Sequence, residues 1–250
     1  GTQVPPDHLG ICWLGQAGFL LKAPDGTSMV LDPYLTECGE RIRGFKRLSP
    51  MLIAPEELAV DYYVTSHLHF DHFDYDAIPI VAQCTKRTLF FGPASCQEKF
   101  IELGIQAHRC HRLDRGECYQ DEKILIRAVM ADHGLLVAFA GHRLWLSGDT
   151  AFHSELFQEI RIFEPDIAVL SVNGAFGNMN AEEGAAAAEL TGARYAVPCH
   201  FWTFMEHGGL PGQFCEQLLL KGTCQPLCFR QGEIRTMQCH TNRERKKETA

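Results

Sequence analysis

The sequence predicts an α/β fold, and three observations carry the prediction. Short apolar runs bounded by turn residues alternate with stretches of helical length and spacing. Alternating strand and helix segments resume after residue 88, which suits sheets covered by helices, and an order of strands then helices, twice, is compatible with this without being demonstrated by it. Histidines and aspartates also cluster at the ends of several predicted strands, where one sheet edge can gather them.

The first segments form an antiparallel meander. Ile11–Leu14, Phe19–Lys22 and Met29–Asp32 read as strands, separated by Gly15-Gln16-Ala17-Gly18 and by an Asp25-Gly26 turn. Residues 35–58 are a long mixed excursion with prolines at 50 and 55, of the kind that serves as a lid or binding loop. Tyr62–Val64 is a strand. A short helix over Tyr75–Cys84 must place Pro79 in an early turn or at a kink. Thr88–Phe91 is a strand; Ser95 and Glu98 then make a capping box for a helix to Leu103, which Gly104 ends.

The second block begins with strands at 107–111, 123–130, 135–140 and 143–147, the last two joined by a tight Gly141-His142 turn. Ser154–Phe163 is helical, Asp166–Val172 is a buried strand, and Ala181–Leu190 is an alanine-rich helix that Gly192 ends. Tyr195–Cys199 is a strand that delivers His200. A helix near 212–221 and a strand near 225–230 close the fold.

With 250 residues, 46% of them hydrophobic, the chain can build a large core. No Pro/Gly/Ser-rich linker divides it, so one domain is expected over 1–240. Residues 241–250, with the run Arg243-Glu244-Arg245-Lys246-Lys247, are expected to be a charged flexible tail. A net charge of −8, from 23 basic and 31 acidic residues, disfavours a nucleic-acid partner. No apolar run approaches the ~20 residues of a membrane span, and no secretory leader opens the sequence. The eleven cysteines lack paired spacing and read as reduced, small apolar residues. Cys224 and Cys228 alone do not complete a zinc-ribbon pattern. A cytoplasmic protein with free thiols is expected.

The densest chemistry lies in Thr65-Ser66-His67-Leu68-His69-Phe70-Asp71-His72. Neutral imidazole is the commonest protein metal ligand. Alternate positions at a strand end face the same way, so His67 and His69 can hold one ion together. Asp71 and His72 lie where the chain turns and can reach a second. The bland alternative is a polar turn that happens to be rich in histidine. Three further groups end predicted strands: Asp132-His133-Gly134, Ser147-Gly148-Asp149-Thr150 and Pro198-Cys199-His200. Singly each reads as a turn, a cap or a packing residue; together with the first cluster they read as one metal site.

The composite pattern resembles the metallo-β-lactamase superfamily: His-x-His-x-Asp-His, then a separate His, a separate Asp and a final His. The matching residues are His67, His69, Asp71 and His72, then His133, Asp149 and His200. Asp32, after a predicted strand, matches an acid that supports a ligand from behind. The resemblance spans Trp13 to about residue 230 and implies a four-layer αβ/βα sandwich with the metals at the sheet edges. Trp13-Leu14-Gly15-Gln16-Ala17-Gly18-Phe19, Phe45-Lys46-Arg47-Leu48-Ser49-Pro50, Phe91-Gly92-Pro93 and Ser147-Gly148-Asp149-Thr150 are similar to the L-ascorbate-6-phosphate lactonase branch. Two departures stand out. The third motif carries His133 where better-known members carry an acid. Gly134 also runs straight into Leu135-Leu136-Val137, so the intervening loop is either very short or partly missing from this sequence.

The resemblance implies a dinuclear hydrolase. In this reading His67, His69 and His133 hold one divalent ion, Asp71, His72 and His200 hold the other, and Asp149 bridges them opposite a shared water. Asp71 and His72 are the candidate catalytic residues, with Asp71 passing a proton to the leaving alkoxide. Five histidines with two aspartates lean toward Zn²⁺ on ligand type; the lactonase resemblance points to Mn²⁺. Gln16, His153, Asn173, Trp202 and His207 are candidate substrate contacts, each beside a strand end or a ligand. The expected partner is a small phosphorylated sugar lactone, its phosphate met by Lys46, Arg47 or Arg112. A homo-oligomer is also expected. The competing readings are a phosphodiesterase acting on RNA or a phospholipid head group, and a scaffold of this fold without activity.

Overall fold

A computed structural model describes residues 3–239 except 131 and 155, so the predicted tail lies outside the described residues. Its strands are β1 (His8–Gly15), β2 (Gly18–Lys22), β3 (Ser28–Leu31), β4 (Tyr62–Val64), β5 (Leu89–Gly92), β6 (Cys110–Arg112) and β7 (Cys118–Gln120). They continue as β8 (Ile124–Ala128), β9 (Leu135–Phe139), β10 (His142–Leu146), β11 (Ile167–Ser171), β12 (Tyr195–Cys199), β13 (Gln225–Pro226) and β14 (Ile234–Gln238). The helices are α1 (Cys38–Arg43), α2 (Ala77–Cys84), α3 (Ala94–Glu102), α4 (Leu156–Phe163), α5 (Ala181–Thr191) and α6 (Pro211–Lys221).

The strands form two seven-stranded sheets, ordered β14-β1-β2-β3-β4-β5-β6 and β13-β12-β11-β10-β9-β8-β7. In each sheet an antiparallel set gives way to a parallel one, at the β3/β4 pair and at the β10/β11 pair. Period-two alternation sorts the first sheet's two faces. Leu31, Val64 and Phe91 enter a core shared with the second sheet, whereas Val30, Tyr63 and Phe90 pack with Ile78 and Val81 of α2 and Phe100 of α3. In the second sheet every residue of β11 is buried, as a parallel strand covered on both faces requires. Helices α5 and α6 lie against β11 and β12. The expected αβ/βα sandwich is therefore the observed architecture. No helix among the described residues is long and apolar enough to cross a membrane.

Several element boundaries differ from expectation for local reasons. Helix α2 starts at Ala77 rather than Tyr75, because buried Asp74 holds the chain in a turn. Its Oδ1 accepts from Ala77 N at 3.0 Å, and its Oδ2 accepts from Leu35 N and Thr36 N at 2.8 Å. Pro79 falls in the first turn, where its missing N–H costs nothing. The Ser95 capping box does not form. Helix α3 begins one residue earlier, behind Pro93, and Asp114 Oδ1 accepts its leading Ala94 N–H at 2.7 Å. A capping box instead opens α5, where Asn180 Oδ1 accepts from Glu183 N and Glu183 Oε2 accepts from Asn180 N. The predicted strand 107–111 is a 3₁₀ turn (Ala107–Arg109) followed by β6, and the strand near 225–230 shrinks to β13. Strands β7 and β14 and helix α1 went unpredicted.

Candidate metal centre

The His67–His72 stretch leaves the buried end of β4 as a tight loop that other elements hold. Asp32, at the end of β3, has a left-handed backbone (φ 42°), a conformation most side chains avoid. Its carboxylate accepts from Ser66 N at 2.7 Å and Ser66 Oγ at 2.6 Å, and it faces His72 Nδ1 at 2.8 Å. His72 Nδ1–H therefore donates to Asp32, which leaves Nε2 as the nitrogen that faces the cluster and that a cation would bind after displacing its proton. This is the carboxylate–histidine arrangement that fixes a metal-binding tautomer. His200 follows β12, also with a left-handed backbone (φ 65°), and its N–H donates to Gln16 O at 3.0 Å. Gly148, beside Asp149, has φ 58°, and a Cβ there would sit 2.5 Å from His133 O. Only glycine fits.

These loops bring together ligand atoms from chain positions far apart. Asp149 Oδ1 lies 3.2 Å from His72 Nε2 and 3.1 Å from His200 Nε2. Its Oδ2 lies 3.4 Å from His67 Nε2 and 3.5 Å from His69 Nδ1. Asp71 Oδ2 is 3.1 Å from His200 Nε2 and 3.7 Å from His72 Nε2. Two triads converge tightly, His67–His72–Asp149 and Asp71–His72–His200. His133 is also present; its ring stacks on His67, centroids 4.2 Å apart and 13° from parallel, and it belongs to neither triad. The loop carrying it is very short, closed by Val129 N donating to Gly134 O at 3.0 Å.

The electrostatics fit a cation. His72 and His200 are fully buried, which by itself disfavours charge. Nearby carboxylates outweigh that burial: Asp149, Asp32 and Asp71 raise His72 well above the usual histidine range, and Asp149 and Asp71 push His200 up to about 9. Burial would likewise raise Asp71 and Asp149, yet His72 and His200 hold both well below the ordinary carboxylate range. The cluster thus attracts positive charge into a buried space where lone pairs and carboxylates converge. His67 is pushed down to about 4, by burial first and then by His72, and burial also lowers His133. Both are neutral at pH 7, with lone pairs available for a metal.

The other candidates separate by position. Gln16 is buried behind the cluster; its Nε2 donates to Asp71 Oδ2 at 2.7 Å and lies 3.0 Å from His207 Nδ1 and 3.1 Å from His200 Nε2. The nitrogen assignment follows from Asp71, because a carboxylate can only accept. His207 stacks on His200 at 4.8 Å. Asn173 is buried and donates to Ala175 O at 3.3 Å. Trp202 is exposed, its Nε1 donating to Gly209 O at 3.1 Å. His153 lies 3.8 Å from Asp132. Two clefts open beside the centre, one on each side of Leu68 and His69. One, of about 570 Å³, includes His67, His133, Ser95 and Arg115 in its lining. The other, of about 450 Å³, includes Asp71, Asp149, His200 and His207. His153, Asn173 and Trp202 line neither.

The expected phosphate-binding cations are placed elsewhere. Arg47 lies over the Tyr34 ring at 4.2 Å and donates to Tyr34 O and Thr36 O. Arg112 pairs with Asp114 and Glu117, and Lys46 lines neither cleft. Arg43 and Arg115 are the cations in the cleft linings. Sequence spacing gave no signal for either.

Comparison with known proteins bears on the fold and the family. A UPF0173 metal-dependent hydrolase of Cupriavidus necator is 26% identical over 232 residues, covering 82% of this chain and 77% of its own. A probable L-ascorbate-6-phosphate lactonase, UlaG, of Shigella boydii is 28% identical over 154 residues, 52% of this chain and 43% of its own. Among solved structures, the metallo hydrolase Igni18 of Ignicoccus hospitalis superposes with a TM-score of 0.76 at 20% identity, covering 92% of this chain and 99% of that one. An isothiocyanate hydrolase from Delia radicum gut bacteria superposes with a TM-score of 0.69 at 20% identity, covering 92% and 100%. The family profile described as beta-lactamase superfamily domain matches residues 10–200, from β1 through the last ligand-type histidine, and the chain belongs to that superfamily.

Proposed function

We propose that this chain is a metal-dependent hydrolase that uses two divalent cations, zinc or manganese, to direct water at the carbonyl of a cyclic ester. The observation that carries the reading is the division of Asp149, whose Oδ1 faces His72 and His200 while its Oδ2 faces His67 and His69. One carboxylate shared between two histidine groups suits a bridging role. His67, His69 and His133 would complete one site; Asp71, His72 and His200 would complete the other. Bound divalent cations supply Lewis acidity and make water nucleophilic near neutral pH.

The chain's own residues then order and move protons. Asp32 fixes the His72 tautomer. Gln16 Nε2–H holds Asp71 Oδ2 and so orients that carboxylate, which would take a proton from the attacking water. When the ring C–O bond breaks, the same proton passes to the leaving alkoxide, giving a hydroxy acid. A lactone of a phosphorylated sugar acid is the first substrate to test. The Trp13–Phe19 and Ser147–Thr150 segments and the partial lactonase match support it, and Arg43 at the cleft would meet the phosphate.

The test uses metal-stripped protein, with Mn²⁺ or Zn²⁺ restored separately, on L-ascorbate 6-phosphate. Turnover restored by one metal and lost in His69→Ala is the expected result. Cleavage of an aryl phosphodiester, with no lactone opened, would replace ester opening by phosphodiester hydrolysis.

A further inference from the structure

The cleft on the Asp71 and His200 side has walls unlike its floor. The floor is the ligand cluster, with His207 beside it; the walls include Ile42, Phe45, Leu68, Phe70 and Phe176, with Arg43 as their cation. Tyr75 also reaches the lining, but its hydroxyl already donates to Leu68 O at 3.0 Å. Among the described residues of this lining, the walls thus offer a polyhydroxylated substrate few free hydrogen-bonding groups. Hydroxyls buried there would lose water without gaining partners, whereas an apolar group would gain contact area.

The aromatic wall is continuous and held from behind. Phe45 packs edge-on to Phe70 at 5.6 Å and lies 6.1 Å from Phe176, which is 5.4 Å from His207. Buried Tyr34 and Phe204 back Phe45 and Phe70. Phe176 is 66% exposed and has φ 56°, between Gly174 and Gly177, which also have positive φ. That backbone conformation is unfavourable for a phenylalanine, and its ring gains little burial in return. The loop is nonetheless well tied: Gly174 N donates to Met179 O at 2.9 Å and Asn178 N to Ala175 O at 3.1 Å. Asn178 Nδ2 donates to Asp149 Oδ1 at 3.0 Å, joining the loop to the floor. A strained, exposed ring on a loop anchored to the reaction centre is built to meet a ligand.

We propose that this cleft takes an ester or lactone whose body is an aryl or medium-length alkyl group, lodged between Phe45, Phe70 and Phe176. The inference rests on the ester-opening reading for the position of the carbonyl, and within that reading it ranks an apolar body above a sugar body. Titration calorimetry on zinc-loaded protein tests it with two product-like carboxylates, phenylbutyrate and gluconate 6-phosphate. Phenylbutyrate should bind roughly tenfold more tightly. Phe176→Ala should erase most of that preference, leaving zinc content and gluconate 6-phosphate affinity unchanged; because Phe176 is mostly exposed, folding is not at risk. Tighter binding of gluconate 6-phosphate, binding of neither, or a preference that survives Phe176→Ala would overturn the inference. Failure of the ester reading alone would look different: phenylbutyrate would bind, but no ester or lactone would turn over.

Discussion

Asp32→Asn probes the metal centre through a residue that lines neither cleft. The substitution keeps the shape and exchanges one oxygen for an amide nitrogen. Which oxygen is lost follows from the structure. Oδ1 receives the Ser66 backbone N–H at 2.7 Å, a donor that cannot rotate away, so the new NH₂ cannot sit there. It must take the Oδ2 place, 2.8 Å from His72 Nδ1 and 2.6 Å from Ser66 Oγ. The serine hydroxyl can rotate to accept. His72 Nδ1 can only answer by becoming an acceptor, which moves its proton to Nε2 and removes the lone pair from the cluster. Loss of such a supporting carboxylate costs about 10–100-fold in metal affinity, or roughly 1.4–2.8 kcal/mol. Zinc titration against a competing chelator measures this, with circular dichroism confirming an intact fold. Wild-type affinity in a folded Asp32→Asn protein would refute the tautomer argument and, with it, His72 as a ligand.

Other outcomes follow from the same geometry. Asp149→Asn should leave at most one tightly held ion, since both histidine groups lose their shared carboxylate; two ions per chain by elemental analysis would contradict a bridge. His200 is pushed up from 6.5 to about 9, so the metal-free fold draws stability from its charge below about pH 6.5 and loses it as pH rises through 9. Metal must displace that proton, so the rise in Tm on adding zinc should grow over the same window; a flat increment would sink the assignment. Cys215 Sγ–H donates to Cys228 Sγ at 3.6 Å, and this bond, opposed by burial and aided by Arg235, lowers Cys228 to about 7. Oxidised glutathione should therefore close a Cys215–Cys228 disulfide before other pairs, and peptide mapping in which both thiols stay free would exclude it.

The candidate ligands stood out in the sequence because their spacing has no purpose in packing. His67, His69, Asp71 and His72 fall within six positions after a buried strand, and His200 and Asp149 follow apolar runs that could only be strands. What could not be read was anything set by long-range contact. The Ser95 capping box obeyed the local rule but lost to Asp114, a residue 20 positions beyond the Ala94 N–H that it accepts. Strand β14 alternates between exposed and half-buried positions, so its residues carry no strong apolar period; its pairing with β1 defines it. Arg47 looked available for phosphate until the fold stacked it over Tyr34. The aromatic wall escaped for the same reason, since Phe45, Phe70 and Phe176 are scattered in sequence and meet only around the cleft.

The two sheets share one plan, and that plan explains why the centre lies where it does. Read from β14 and from β7, each runs through four strands in antiparallel pairing and continues through three in parallel pairing. Asp32 follows β3 and Asp149 follows β10, the last antiparallel strand of each sheet; parallel neighbours direct their carboxyl ends to the same edge, where open α/β sheets bind ligands. The corresponding turns carry Gln16 between β1 and β2 and His133 between β8 and β9. The halves have diverged in what these positions do. In the first, Asp32 supports His72 from behind and Gln16 bonds Asp71 and His200; in the second, Asp149 reaches the cluster directly. The closing strand matters to this division. Gly232 N donates to Trp13 O at 2.8 Å and Gln231 Nε2 to Leu14 O at 3.0 Å, just before the Gln16 turn. The same Gln231 amide nitrogen lies 2.7 Å from where a Cβ on Gly15 would sit, and the positive φ of 102° there favours glycine. The segment leading into β14 is thus hydrogen-bonded beside the turn whose Gln16 holds Asp71 and His200, and so links the last strand of the fold to that side of the candidate centre.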